Sequence, residues 1–376
     1  MGRLWSFLLV TLCLLSLGAC SPLSQVQAQD RLFADMSLEL VDTYTLPATG
    51  PGNLPLGGLS GWAYDRQQDL FYAVSDDKQK PRFYTLKADW SRAGRSPQLK
   101  KIEIKNATLL KDAQGNPLKP NQWDLEGIAL SPEGALWVSS EGARDGTQAP
   151  FLAKFDRQSG QLLETLTIPS AFIPGADPPR GLRKNLGFEA LALAPGAALP
   201  SDPYRLFTVP ESALAQDLDP DAPPERLPLR WLHYLVNSGG PAVLLAEHLY
   251  YLDPPPSGTL LQGLSEIAAL SREGIFLSLE RALDLTGFSA KLFQVVNANA
   301  TDTRTIASFQ GNIADLVPLQ KRLLLDLNTL DLELDNLEGM TLGPRFPDGT
   351  ESLWLISDNN FRQDQVIQIL VFRLRG

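Results

Sequence analysis

Four glutamates recur at one place in a repeated apolar context: "DLEGIALSP" at 124–132, "GFEALALAP" at 187–195, "GLSEIAALS" at 263–271 and "NLEGMTLGP" at 336–344. Aligned on their strand endings, Glu126, Glu189, Glu266 and Glu338 stand four residues before Leu130, Leu193, Leu270 and Leu342, and Ser60 of "GLSGWAYD" takes the same place before Tyr64. A carboxylate in a segment about to enter a core needs a cation, a hydrogen-bond network or water, because an unpaired buried charge is costly or neutralises itself. Each stretch is followed by a turn and a second apolar run that ends in acid: "LFYAVSDD", "ALWVSSEG", "RLFTVPES", "GIFLSLER" and "SLWLISDNN". Asp76, Glu141, Glu211, Glu280 and Asp358 thereby join the pattern. Carboxylates gathered at one place raise one another's pKa or demand a cation, and a hard cation such as calcium takes about 6–8 oxygen ligands. The expected chemistry is a calcium site with these nine acids as candidate metal ligands. The competing reading is that acids at strand ends cap turns by accepting backbone N–H bonds, as "SDD" at 75–77 and "SDNN" at 357–360 could do.

The elements that must position these acids are strands. Further alternating or β-rich runs follow each pair: "PRFYTLKAD" and "KKIEIKNATLL", "FLAKFD" and "QLLETLTIP", "RWLHYLV" and "AVLLAEHLYYL", "KLFQVV" and "TRTIASF". Each unit reads as a four-stranded meander. Units start at 58, 124, 187, 263 and 336, spacings of 66, 63, 76 and 73 residues, longer than the roughly 40–50 of a typical propeller blade, so long loops fill the difference. The fifth unit has "VIQILVFRLR" as its third strand and lacks a fourth, while "SLELVDTYTLP" at 37–47 is a strand without a unit. Pairing the two closes a ring and hides two sheet edges. The expected fold is all-β: a β-propeller of four-stranded blades in one domain over 36–376, five countable, with a sixth possible in 311–335 if that stretch is more than an insertion. In such a ring the innermost strands border a channel, and their acids gather at one mouth.

The succession "GLSGWAYD…FYAVSDD", "DLEGIAL…LWVSSEG", "GFEALAL" and "NLEGMTLGP…LWLISDNN" resembles the phytase-like domain family, described as esterase-like activity of phytase, over about residues 55–376. The resemblance implies a propeller related to calcium-dependent phytases and metal-assisted hydrolysis of a small-molecule ester or phosphoester. It implies that Glu126, Glu189, Glu266 and Glu338 are catalytic as ligands or bases, and that Lys78, Arg144 and Arg281 bind an anionic substrate. The chain departs from the pattern in offering only these three basic residues near the acids and in carrying Ser60 where the other units have an acid. A propeller that catalyses nothing and binds a ligand or an envelope protein is the alternative, because fold does not fix function.

Other chemistries lack their residues. There is no G-x-S-x-G elbow, no G-x-x-x-x-G-K-[ST] loop, and the two histidines, His233 and His248, fall in outer strands of the third unit. Scarce His and Cys argue against a structural zinc site. A net charge of −10, about −11 once Arg3 is removed, argues against a nucleic-acid partner. Residues 1–20, "MGRLWSFLLVTLCLLSLGAC", combine one early arginine with an apolar run too short to span a membrane, the pattern of an export signal. Leu17-Gly18-Ala19-Cys20 resembles a bacterial lipobox, which makes Cys20 the lipidation site after a 1–19 signal and 20–35 a tether; cleavage after Ala28 is the alternative, giving a secreted or periplasmic protein. Membrane contact is then only through the lipid. Cys13 and Cys20 are the sole cysteines, so the mature body has no disulfide. Cys20→Ala is expected to move the protein from the membrane fraction to the soluble fraction with an unchanged unfolding midpoint; continued membrane association of the variant removes the lipoprotein reading.

Overall fold

Short runs of Leu, Val, Ile and aromatic residues bounded by turn residues suit a pleated, half-buried surface, and among the described residues they fold into 22 strands. The computed structural model describes residues 32–50, 54–91, 97–143, 146–197, 199–219, 226–237, 239–311 and 313–376, so Cys20, the signal-like segment and Arg144 lie outside the described residues. The N-terminal strand β1 (Ser37–Leu46) precedes the blades. Blade 1 is β2 (Leu59–Asp65), β3 (Leu70–Ser75), β4 (Arg82–Ser91) and β5 (Gln98–Leu109). Blade 2 is β6 (Leu125–Leu130), β7 (Leu136–Ser140), β8 (Phe151–Phe155) and β9 (Leu162–Leu166). A two-rung hairpin, β10 (Gly175–Ala176) and β11 (Pro179–Arg180), precedes blade 3, which is β12 (Phe188–Leu193), β13 (Tyr204–Pro210), β14 (Pro228–Asn237) and β15 (Gly240–Tyr251). Blade 4 is β16 (Leu261–Ala269), β17 (Ile275–Asp284), β18 (Gly287–Val296) and β19 (Gln320–Asp326). Blade 5 is β20 (Asn336–Leu342), β21 (Glu351–Asp358) and β22 (Ile367–Arg375), completed by β1.

The ring closes as the sequence leads one to expect. β1 runs antiparallel to β22 from Ser37↔Arg375 to Leu46↔Ile367. β2 packs on β6, β6 on β12, β12 on β16, β16 on β20 and β20 back on β2, so the first strand of every blade lines the axis. The protein is an all-β propeller of five four-stranded blades. The stretch 311–335 is no sixth blade: its Gln320–Asp326 pairs with β18 as the outer strand of blade 4, and "TRTIASF" at 303–309, expected in that role, is irregular. Thr303 there donates from its hydroxyl to Glu247 Oε1 and Phe309 stacks under Arg230, so the segment serves blade 3 contacts instead of a ladder.

Apolar clusters fill the wedges between neighbouring blades. At the closure seam Trp62, Phe71 and Trp354 stack within 4.7–5.7 Å, and Trp62 Nε1 donates to the carbonyl of Trp354 at 3.3 Å, tying blade 1 to blade 5. Trp137 Nε1 donates to the Tyr204 hydroxyl at 2.8 Å, tying blade 2 to blade 3. Full burial of each such side chain contributes about 1.5–3 kcal/mol. Closest to the axis the packing is tighter still. A Cβ on Gly127 would lie 2.5 Å from the carbonyl oxygen of Glu189, and one on Gly61 would lie 2.7 Å from that of Glu126. Gly127→Ala is therefore expected to cost about 1–3 kcal/mol by overpacking. Gly239→Ala, where an added Cβ meets nothing within 4 Å, should stay within about 0.5 kcal/mol. Urea unfolding of both variants checks the contrast, and equal losses would mean that the inner strands are not in tight contact.

Candidate functional site

Every innermost strand carries a β-bulge near its start, and the bulge explains why an acid can leave the sheet there. The register slips between Leu59 and Gly61, Leu125 and Ile128, Phe188 and Ala190, Leu264 and Glu266, and Leu337 and Gly339. A bulge leaves one residue unpaired and re-aims its side chain. Ser60, Glu126, Glu189, Ser265 and Glu338 occupy these slips, all buried. Glu126, Glu189, Glu338 and Ser60 line a cavity of about 350 Å³ at one mouth of the channel.

Glu266 does not join them. The bulge of blade 4 falls on Ser265, so Glu266 takes the place held by Gly61, Gly127, Ala190 and Gly339 in the other blades. It does not line the cavity; its Oε1 accepts from the backbone N–H of Leu191 and of Ile267, both at 2.9 Å, which ties blade 4 to blade 3. Burial pushes its pKa well above the carboxylate range. Alignment on strand endings misplaced it by one residue. Alignment on the apolar residue before the acid, Leu125, Phe188, Leu264 and Leu337, selects Ser265.

The second-strand acids enter the same cavity from one shared rung. Asp76, Glu141 and Glu211 donate their backbone N–H to the carbonyls of Gly58, Asp124 and Gly187, and Asp358 pairs with Asn336. In blade 4 this rung is Gly263↔Arg281. Glu280, expected here, is one residue short and points into the blade, where the Tyr250 hydroxyl donates to its Oε1 at 2.5 Å and Lys321 pairs with it. A guanidinium thus stands where four blades have a carboxylate. Arg281 Nη1 donates to Glu338 Oε1 at 2.7 Å and also to Asn336, and Nη2 reaches Glu211 Oε1 at 3.1 Å.

A further carboxylate escaped the sequence reading. Asp124 lines the cavity, and its counterpart in blade 5 is Asn336; the signal was the D or N opening each "LEG" motif. In blades 1, 3 and 4 that position is glycine. Gly58 (φ 61°), Gly187 and Gly263 make room for the side chains of Asp76, Glu141 and Glu211, because a Cβ on them would lie 1.8, 3.0 and 2.2 Å from those acids. Lys78 donates to Asp124 Oδ2 at 2.6 Å.

Eight carboxylates and three cations line this cavity. Burial, then the neighbouring acids, pushes the carboxyl pKa values of Glu126, Glu189 and Asp358 well above their ordinary range. The same causes bring Asp76 and Glu141 up to about 7, although the Gly187 N–H bond holds Glu141 back. Glu211 and Glu338 are also raised by burial, with Arg281 opposing. Burial works against the guanidinium too, yet Glu338 and Glu211 hold Arg281 above its usual range.

The donor set fits a hard cation. Oxygens of Asp124, Glu126 and Glu141 lie within 4.8 Å of one another, no His or Cys is among them, and Asp76 Oδ1 is buried without a hydrogen-bond partner among the described residues. The other mouth of the channel opens into a larger cavity of about 540 Å³, lined by Leu130, Leu193, Ala269 and Leu342 and by none of the repeated acids. The repeated acids therefore gather at one mouth of the channel only.

A model of the family described as "Phytase-like: Esterase-like activity of phytase" matches residues 54–361. An "Uncharacterized secreted protein" of Arthroderma benhamiae is 29% identical over 231 residues, which cover 51% of this chain and 41% of that protein, so the match spans less than half the relative's length. Among solved structures, an endo-arabinase from Bacteroides thetaiotaomicron covers 89% of this chain and 98% of its own at 12% identity and TM-score 0.43. The catalytic domain of a GH62 α-L-arabinofuranosidase from Coprinopsis cinerea covers 90% and 96% at 10% identity and TM-score 0.43. Scores this low carry nothing about chemistry.

The raised carboxyls set the sign of a pH effect. Asp76 and Glu141, near 7 in the fold and about 4 when unfolded, bind more protons folded than unfolded between those values. Stability of the metal-free protein must then fall as pH rises from about 4 to about 7. Urea midpoints measured with chelator are expected to be higher at pH 5 than at pH 8, and calcium should narrow the difference by replacing protons as counter-charge. A chelated protein that gains stability from pH 5 to pH 8 would show that these acids ionise in the fold without penalty.

Proposed function

The chain belongs to the phytase-like family, and we propose that its acidic channel mouth is the site of a calcium-dependent hydrolase of phosphoesters or other esters. The observation that carries the proposal is the cluster of Asp124, Glu126 and Glu141, with oxygens within 4.8 Å of one another at the mouth of a closed propeller. These three side chains would hold the cation, with Asp76 as a fourth donor. Calcium bound there supplies charge stabilisation of a phosphoryl or carbonyl oxygen and a water of lowered pKa. Glu189, which helps to raise the pKa of Glu126 and whose own carboxyl is pushed well above its ordinary range by burial, is the candidate to hold and pass a proton. Glu338 is fixed by Arg281 and by the Asn336 side-chain amide, whose Nδ2 donates to Oε1 at 2.8 Å, and so has an orienting role. Lys78 orients Asp124 in the same way. Glu266 and Glu280 have no place in this proposal.

The substrate is a small molecule that enters the cavity. The proposed location is extracytoplasmic, with a lipid anchor on Cys20 or release after Ala28; the signal-like run and the name of the Arthroderma benhamiae relative support export. Among the described residues no helix is long and apolar enough to cross a membrane.

Calcium is expected to raise the thermal midpoint of the wild-type protein, because a ligand bound only to the folded state stabilises it by mass action. A panel of phosphate and carboxylate esters should show turnover that chelator abolishes. Glu126→Gln should lose at least about a hundredfold in activity, the lower end of what proton-transfer and charge-stabilising groups supply, and most of the calcium shift. A flat midpoint across a wide calcium titration, with no ester turned over, leaves a binding propeller whose acids are structural.

A further inference from the structure

We propose that the acidic cavity carries a subsite for an alkyl, acyl or aryl group, formed by Leu261, Leu283 and Phe288 of blade 4, so that the preferred substrate is a neutral or singly charged ester with an apolar part. This rests on the ester-hydrolase reading and deepens it. Blade 4 is built differently from the others where it meets the cavity. Its first two strands have 9 and 10 residues, against 6 or 7 for the other first strands and 5 to 8 for the other second strands. The extra length lies beyond the acid-bearing rung. Past Gly263↔Arg281 the ladder continues through Gln262↔Ala282 to Leu261↔Leu283, and Leu283 pairs in turn with Phe288.

Side chains two residues apart on a strand share a face. Leu261, Leu283 and Phe288 therefore form one rung directly beyond Arg281 on its own face, and all three line the same cavity as the acids. Leu261 is 38% exposed, and Leu283 and Phe288 are half-buried. Leu260 and the hairpin-tip Leu285 nearby in the chain are 66% and 90% exposed. Apolar surface left open beside a polar site marks a place where a ligand is received.

The charges count against the opposite class of substrate. Among the described lining residues each cation already has a partner: Lys78 has Asp124, Arg281 has Glu338 and Glu211, and Arg362 has Asp364 at 2.6 Å. Beside eight lining carboxyl groups, these three paired cations are a poor match for the several phosphates of a polyanion. One cation-held ester group beside an apolar wall is what the cavity accommodates.

Calorimetry of the full chain with calcium present, titrated with methylphosphonate, octylphosphonate and inositol hexakisphosphate, tests this without requiring turnover. The octyl compound is expected to bind on the order of tenfold tighter than the methyl compound or better, and inositol hexakisphosphate no tighter than methylphosphonate. Leu283→Ser and Phe288→Ser should each shrink the octyl-to-methyl ratio to about twofold, as should the kcat/KM ratio of p-nitrophenyl octanoate to acetate. Equal affinity for the two alkylphosphonates, no affinity for either, or a clear preference for the hexakisphosphate overturns the subsite. A flat ester series with calcium-dependent turnover removes the subsite and leaves the hydrolase. Selective octylphosphonate binding with no ester turned over does the reverse. Vesicle flotation or sedimentation that responds to Leu285→Ser, together with a flat chain-length series, reassigns the leucines to lipid or to a second copy and also overturns the proposal.

Discussion

Five first strands converge on one axis closely enough that a methyl group is too large at most of the contacts between them. A Cβ on Gly127 or Gly61 would lie 2.5 or 2.7 Å from a carbonyl oxygen of the next first strand, and one on Gly339 would lie 3.1 Å from Gly61 and 2.7 Å from Ile356 of its own blade. The residue before each of these glycines sits in a bulge, is unpaired in its ladder, and turns toward the axis. Crowding and bulge together make a ring of positions that face one shared space. Any charge placed there is felt by all the others, which is the origin of the raised carboxyl pKa values and of the demand for a counter-cation. Blade 4, with Ser265 in its bulge, spends its acid differently: Glu266 holds the backbone of blade 3.

Arg281 divides this space. On its side, Glu338 and Glu211 have a fixed guanidinium within hydrogen-bond reach, so part of the repulsion is relieved by the chain itself. Asp76, Asp124, Glu126 and Glu141 have Lys78 as the lining cation beside them among the described residues, and Asp124, Glu126 and Glu141 form a close carboxylate triad. The guanidinium of Arg281 at one edge and the carboxylate triad give the mouth a direction, with the blade 4 leucines one rung beyond the arginine. Such an arrangement is costly to fold, since buried like charges subtract from stability. The described residues, which contain no cysteine, offset that cost through aromatic packing between blades and through β1, which covers the open edge of β22.

The sequence by itself determined the fold to a large extent, because strand periodicity and repeat spacing are local properties that survive without a structure. The five pairs of inner runs, the propeller class and the closing role of residues 37–46 were all legible from "NLEG"-type repeats and one unmatched strand. Most of the site was legible for the same reason: Glu126, Glu189, Glu338, Asp76, Glu141, Glu211 and Asp358 recur at a fixed distance from apolar residues, and all line one cavity. What only the tertiary structure decided concerns single-residue phase. Blade 4 puts Ser265 in its bulge and Arg281 on the acid-bearing rung, so Glu266 and Glu280 fall outside the cavity, and Arg281, expected to bind substrate, pairs with Glu338 and Glu211. Asp124 stands beside Glu141 through the β6–β7 hairpin of its own blade, and the cavity lining adds it to the other acids. The apolar rung of blade 4 depends on strand length beyond the ring, which reads in sequence as no more than scattered leucines around a glycine turn.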